Sequence, residues 1–214
     1  MTRAVILAGG FGMRLRPLTA TVPKAMIPLV NRPVIDYILD YLVGYGLNDI
    51  VITTNYLREQ TIEYLTRRRA DLKIAYPAEP SPLGTAGSVK NAAISERMLV
   101  IQGDNITEID LRKLLRFHDE HGGLVTIALL PVSDPCLFGI AKLDATGKIL
   151  AFKEKPAQGA CFSNLANTGC TSWSQRRSGM YLLVVRSIFP RTSSRGSSRR
   201  AKFTGVSLRA SGPM

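Results

Sequence analysis

Ala8 to Met26 reads AGGFGMRLRPLT, then AT and VPKAM, and it concentrates the residues best suited to holding phosphate. Ala8 opens a turn in which Gly9, Gly10 and Gly12 keep side chains out of the way, so that backbone N–H groups can approach an anion closely. Arg14, Arg16 and Lys24 supply positive charge directly behind it. A triphosphate suits such a loop. It is neither a GxxxxGK[ST] loop nor a GxGxxG fingerprint. In EPSPLGTAGS, Glu79 to Ser88, the small residues around Gly84 and Thr85 form a loop whose backbone could read the edge of a planar ring. LVIQGDN puts Asp104 at the carboxyl end of a strand, where open α/β sheets bind ligands and where a carboxylate could hold Mg²⁺ against phosphate oxygens. FKEKP offers Glu154 for sugar hydroxyls and Lys155 for a phosphate. His118 and His121 read as cations near a helix C-terminus, with no third ligand to make a metal site. No Ser, His and Asp arrangement for nucleophilic catalysis stands out.

These motifs need a scaffold, and the pattern between them predicts one. Ala4 to Leu7 is an aliphatic run entering the glycine turn, the pattern of a buried strand. Ile35, Ile38, Leu39, Leu42 and Val43 recur at helical spacing before Gly44 and Gly46. DIVITT, LKIAY, MLVIQGD and LVTIALL read as strands; REQTIEYLTRRR, SVKNAAI and IDLRKLLRFHDEH read as helices. The alternation predicts an α/β fold with a mixed, mainly parallel sheet covered on both faces. FGIAKLD and ILAFKEKP, separated by ATGK, predict a hairpin beyond the parallel part.

Composition sets outer limits on function. The 214 residues are 45% hydrophobic with mean hydropathy +0.06, enough to bury a core, which excludes a wholly disordered chain. The longest apolar run, Leu124 to Val132, is broken by Thr126 and Pro131 and is too short to cross a bilayer. The N-terminus reads as a strand and not as a signal peptide, so the expected location is cytoplasmic. Cys136, Cys161 and Cys170 are odd in number and lack metal spacing, so neither a disulfide framework nor a zinc site is expected.

VILAGGFGMRLRPLT with PKAM, PLGTAGS, QGDN, FGIAKLD, FKEKP and SNLANTG follow the order and spacing of the sugar-phosphate nucleotidyltransferases. The resemblance covers residues 1–169, and Ala25 stands where the family has proline in PKP. It implies an enzyme joining an NTP (GTP, UTP or dTTP) to a sugar 1-phosphate with Mg²⁺, on a Rossmann-like three-layer fold. Its wording is nearest to mannose-1-phosphate guanylyltransferases, with glucose-1-phosphate uridylyl- or thymidylyltransferases as the alternative. Carried onto this chain, the resemblance assigns Arg14, Lys24 and Asp104 to catalysis and Asp104 to the metal. Ala8, Gly9, Gly10, Gly12, Glu79, Gly84 and Thr85 fall to the nucleotide, and Gly139, Glu154, Lys155 and Asn167 to the sugar phosphate. A homo-oligomer is compatible with it; a membrane or a specific nucleic acid is not expected as a partner.

Past residue 169 the composition changes. From Cys170 to Met214 there are eight Arg, one Lys, ten Ser and no acidic residue, so this tail carries most of the net +12. Its basic character raises a different possibility, a degenerate catalytic domain that binds nucleic acid through the tail. A frame-slipped reading of the tail codons, with third bases chosen freely, permits DFSKDLFP and EGFWTD, strings like those the family carries there. The expectation is therefore a catalytic domain over 1–169, truncated at its C-terminal end, followed by a frameshifted, poorly ordered tail over 170–214 that lacks the family's second metal carboxylate.

Overall fold

Ala4, Val5 and Ile6 have no polar side chain to turn toward water, and β1 (Arg3–Leu7) accordingly lies inside a parallel sheet. The structure, a computed structural model, describes residues 2–79, 81–122, 124–174, 180–186 and 205–210. Tail residues 175–179, 187–204 and 211–214 lie outside the described residues, and with them most of the frame-slipped strings read from the sequence. The chain divides into two units, Met1–Glu108 and Ile109–Met214.

In the first unit β1 is followed by a two-rung ribbon, β2 (Pro28–Leu29) and β3 (Arg32–Pro33), and by α1 (Val34–Gly44). Then come β4 (Asp49–Thr53), α2 (Arg58–Arg68), β5 (Lys73–Ala75), α3 (Gly84–Asn91) and β6 (Met98–Gln102). The strands run in the order β6-β1-β4-β5, all parallel, with Ala4 opposite both Ile50 and Leu99. Ile50, Val51 and Ile52 on β4 and Leu99, Val100 and Ile101 on β6 are buried without alternation, which requires cover on both faces. Ile35, Ile38, Leu39 and Leu42 form the buried stripe of α1, while Val43 stays half-buried at its edge. This is the expected α/β, Rossmann-like arrangement, with its crossovers supplied by helices.

One boundary differs in a way that matters. The helix expected from Ser88 begins at Gly84, so the small-residue stretch read as a loop is the first turn of α3. Its unpaired N–H groups therefore point out of a helix N-terminus rather than from a loop.

The second unit contains α4 (Leu111–His121), β7 (Val125–Pro131), β8 (Gly139–Leu143), β9 (Ile149–Glu154), β10 (Leu165–Trp173), β11 (Met180–Arg186) and β12 (Gly205–Ala210). Here most pairing is antiparallel: β10 with β7 and β8, β8 with β9, and β11 with β12, while β11 runs parallel to β7. β10 passes through the composition break at residue 169 without interruption. Asp110 caps α4 by accepting from the Lys113 N–H at 3.2 Å, and Gly122, in the left-handed region, closes it. Val125, Ile127, Leu129, Ala141 and Ile149 form this unit's core.

Two readings need correction. His118 is not a solvated helix-end cation: it is 2% exposed, with Nδ1 2.7 Å from Thr126 Oγ1 and Nε2 2.6 Å from Ser174 Oγ. His121 does lie at the exposed end, stacked on Phe117. Cys136 and Cys161, expected to be unpaired, form a disulfide, because the β8–β9 hairpin folds the intervening residues back and brings their Cα atoms to 6.0 Å. Cys170 is the free cysteine; it is fully buried, and burial pushes its thiol up to about 12.

Candidate active site

The glycine turn is held in shape by a short chain of contacts. Gly12 has φ +61°, and a Cβ there would lie 2.7 Å from Thr19 Cγ2, so the position excludes side chains on both grounds. Thr19 is buried, donates from Oγ1 to Gly12 O at 2.9 Å, and accepts at its own carbonyl from Tyr56 Oη at 3.0 Å. Phe11 packs on the Tyr56 ring. These contacts fix the tight turn Met13–Leu15, on which Arg14 stands exposed to solvent.

Lys24 opens another tight turn, Lys24–Met26, anchored by the buried Ala25. That burial explains how alanine serves where the family has proline: a small apolar residue fills the place. Asp104 follows β6, and the Gly103 N–H donates to Leu7 O at 2.8 Å, which ties the end of β6 to the end of β1. Lys24 Nζ and the Asp104 carboxylate form an ion pair. Gly10, Gly12, Arg14, Lys24 and Asp104 line one cavity of about 400 Å³. The catalytic residues proposed from sequence thus share one wall-to-wall space. Its cations outnumber its single carboxylate, so an anion is favoured there.

A second cavity, of about 230 Å³, lies between the β1 end and α3. Gly9, Gly10, Thr53, Glu79, Gly84 and Thr85 are among its walls. Gly10 borders both cavities, so a ligand extended along the glycine turn would have one end in each. Ala8 lies buried just before this turn and does not line either cavity. The peptide segment carrying Glu79 is held from two sides: Asn55 Nδ2 donates to Glu79 O at 2.6 Å, and Asn91 Nδ2 donates to Ala78 O at 2.9 Å. Sequence reasoning missed Asn55, Asn91 and Thr53. Asparagines that hold a carbonyl from another element leave no local pattern, whereas Thr53, at the carboxyl end of β4, could have been suspected by the same rule that selected Asp104.

In the second unit, Gly139 and Glu154 are cross-strand partners on β8 and β9. A Cβ at Gly139 would lie 2.5 Å from Glu154 Oε2, so glycine lets the carboxylate fold over the strand. Lys155 donates its N–H to Phe138 O at 3.0 Å and places Nζ 3.3 Å from Glu154 Oε1. Ala166 pairs with Ile140, which sets Asn167 on the strand adjoining this end of β8; Asn167 Oδ1 accepts from the Gly169 N–H at 2.8 Å. The four residues assigned to the sugar phosphate therefore gather around one end of one hairpin.

A parallel sheet carrying a glycine turn, two cations and an acidic residue at its carboxyl ends defines a phosphate-handling α/β protein. The sequence matches the nucleotidyl transferase family over residues 3–188, past the composition break, and the chain belongs to that family. It is 35% identical to mannose-1-phosphate guanylyltransferase 1 of Arabidopsis thaliana over 72% of this chain and 45% of that protein. Identity to UTP--glucose-1-phosphate uridylyltransferase of Synechocystis is 34%, over 78% and 47%. With D-glycero-alpha-D-manno-heptose 1-phosphate guanylyltransferase of Aneurinibacillus thermoaerophilus it is 33%, over 81% and 79%. The chain thus spans about half the length of the first two relatives. A crystal structure from Bacillus anthracis, provisionally described as a glucose-1-phosphate thymidylyltransferase in complex with sucrose, superposes with a TM-score of 0.72 at 27% identity, covering 81% of this chain and 72% of that one. No helix among the described residues is long and apolar enough to cross a membrane.

Proposed function

We propose that this protein joins an NTP to a sugar 1-phosphate, releasing pyrophosphate and forming a nucleotide sugar, with GTP and mannose 1-phosphate as the leading pair. The observation that carries the reading is the single cavity lined by Arg14, Lys24 and Asp104, bordered through Gly10 by a second cavity sized for a base. In the reaction, a phosphate oxygen of the sugar 1-phosphate attacks the α-phosphorus in line. A new P–O bond forms, the bond from the α-phosphorus to the bridging oxygen breaks, and pyrophosphate leaves with that electron pair. No covalent intermediate on the protein is required. Arg14 and Lys24 neutralise charge that grows on the phosphates, and the glycine turn supplies backbone donors without steric obstruction. Glu154 would accept from sugar hydroxyls and Lys155 would meet the sugar's phosphate, with Gly139 and Asn167 beside them. UTP or dTTP with glucose 1-phosphate is the alternative pair, because relatives of both kinds match at similar identity.

Asp104 is the residue suited to a divalent ion, for which we propose magnesium. No cluster of three metal-ligating side chains occurs among the described residues, so the protein offers one carboxylate and the remaining ligands would be phosphate oxygens and water, a set magnesium accepts. Bound there, the ion would neutralise phosphate charge. Lys24 already lies on this carboxylate, so it provides the balancing cation when no metal is held. We also propose that the reading frame slips near residue 169, which sequencing of the coding DNA tests, an uninterrupted frame overturning it. A cytoplasmic location accords with this activity; cell fractionation checks it.

Pyrophosphate release tests the activity. It is to be measured with GTP, UTP and dTTP, each paired with mannose 1-phosphate and with glucose 1-phosphate. GTP with mannose 1-phosphate is expected to turn over fastest. No release with any pair, both in this chain and in one whose frame past 169 is restored, overturns the proposal.

A further inference from the structure

Phe152 on β9 is 39% exposed, so burial in the core does not account for a phenyl ring there. An exposed aromatic on its own calls for no explanation, but this one has a specific neighbour. A Cβ built at Gly139 would lie 2.6 Å from Phe152 Cζ and 2.5 Å from Glu154 Oε2, so the tip of the ring and a carboxylate oxygen meet over the same glycine. The backbone dictates this meeting. Phe152 and Glu154 stand two residues apart on one strand and share a face, and Gly139 is the partner of Glu154 across the hairpin. Lys155 Nζ lies 3.3 Å from the other carboxylate oxygen. A phenyl ring, an acceptor and an ammonium group are thus gathered at one end of the β8–β9 hairpin, all open to solvent.

We infer that Phe152 is the wall against which the sugar ring rests; the inference rests on the sugar-side assignment of Glu154 and Lys155 in the nucleotidyl-transfer reading above. A pyranose carries hydroxyls around its rim and C–H groups on its faces, so a site for it has two kinds of surface to satisfy. Glu154 accepts from rim hydroxyls and Lys155 meets the phosphate, and neither offers anything to the C–H groups. The phenyl ring does. Contact removes apolar area of both rings from water, and the negative face of the phenyl attracts the polarised C–H hydrogens. An aromatic wall beside a few convergent polar groups is the usual make-up of a small-molecule site. The selection is for a ring: inorganic phosphate or a bare nucleotide leaves the phenyl uncovered. Glycine at position 139 permits the arrangement, because a side chain there would take the space that the ring tip and the carboxylate share.

Tryptophan fluorescence of the full chain carrying Phe152→Trp tests this. The chain's own tryptophan, Trp173, lies on β10, and wild-type titrations supply its background. With magnesium present, GDP-mannose and UDP-glucose, the products of the two candidate pairs, are each compared with the bare nucleotide, GDP or UDP, and calorimetry records which of them bind. The variant's emission is expected to shift to the blue with a nucleotide sugar and to stay in place with the matching bare nucleotide. Phe152→Leu keeps apolar bulk and loses the aromatic face, so KM for the sugar 1-phosphate is expected to rise about fivefold while KM for the NTP holds, and Phe152→Tyr is expected to restore it. A phenyl that only propped Glu154 would be replaced by leucine without loss and would leave the emission blind to the sugar. The leucine and tyrosine series stands whether or not the tryptophan variant folds. Nucleotide sugars that bind without shifting the emission, or a KM for the sugar 1-phosphate that leucine leaves unchanged, overturn the assignment while leaving nucleotidyl transfer intact. No binding of any of the four ligands by the wild type overturns both.

Discussion

The cavity carrying Lys24 and Asp104, to which we assign the nucleotide, and the hairpin carrying Glu154 and Lys155, to which we assign the sugar phosphate, are built on opposite plans. Asp104 follows the buried strand β6, Lys24 on the turn Lys24–Met26 pairs with it, and their side chains are only 21% and 31% exposed. Glu154 and Lys155 end an edge hairpin, and theirs are 61% and 51% exposed. The first arrangement fixes charges before a ligand arrives, in surroundings where screening is weak. The second leaves its charges in water, where an ion pair contributes little until a ligand covers it. A substitution on the nucleotide side should therefore act on chemistry, and one on the sugar side should act on affinity.

The largest effect belongs to the first plan. Asp104→Asn keeps the shape and removes the charge opposite Lys24, and it is expected to lower kcat by about 100- to 1,000-fold, the usual loss when one preorganised electrostatic partner is removed. Steady-state pyrophosphate release measures it. A loss confined to KM for the sugar phosphate would erase the distinction between the two sides.

This contrast explains which parts of the molecule were legible in the sequence. Strands such as β1, β4 and β6 announce themselves because their buried central residues must be apolar, and the motifs at their ends inherit their positions. Glu79, too, could be named from its motif, yet its placement depends on Gly9, against which its carboxylate lies, and on Asn55, which holds its carbonyl, both of which follow other strands. The start of α3 was misread because Gly84, Thr85, Ala86 and Gly87 have loop-like composition, and only the packing of Ser88 and Val89 commits them to a helix. The Cys136–Cys161 pairing was invisible because a separation of 25 residues says nothing until the hairpin between them closes.

That disulfide offers the next test. It joins the segment before Gly139 to the segment after Lys155, bracketing the hairpin that carries the sugar-side residues. For a closed loop of this length, reduction or Cys136→Ser is expected to remove about 3 kcal/mol of stability. Thermal unfolding with and without dithiothreitol gives the figure. The sharper reading is kinetic: KM for the sugar 1-phosphate should rise on reduction while GTP affinity holds. Equal changes in both would mean that the two sides are not independent.

Cys170 gives a smaller, pH-dependent effect. Its thiol is raised from 9.0 to about 12 by burial in β10, so the native state keeps the proton while the unfolded chain loses it. The stability associated with this group is complete below pH 9 and is lost as pH rises toward 12. Between pH 9 and about 10.5 the loss is about 2 kcal/mol, measured as a fall in the urea midpoint. Cys170→Ala should flatten that limb relative to the wild type, and parallel curves would refute the burial argument. Native-state alkylation by iodoacetamide should also spare Cys170 after Cys136 and Cys161 have been reduced and labelled.

The smallest expected change in stability tests the sugar side most directly. Glu154→Gln breaks the contact with Lys155, but both groups are more than half exposed, so the fold should lose less than about 1 kcal/mol. Activity should respond out of proportion to that figure. A carboxylate that accepts from sugar hydroxyls only when the ligand is bound contributes to affinity, so KM for the sugar 1-phosphate should rise about tenfold with kcat nearly unchanged. The close approach at Gly139 gives the companion test: Gly139→Ala drives a methyl to within 2.5 Å of the Glu154 carboxylate and 2.6 Å of the Phe152 ring, and should displace both side chains without altering the carboxylate's charge. If both variants raise KM, position and charge are each required. If Glu154→Gln alone does so, the carboxylate tolerates displacement, and the hairpin is a looser platform than the buried sheet that carries Asp104.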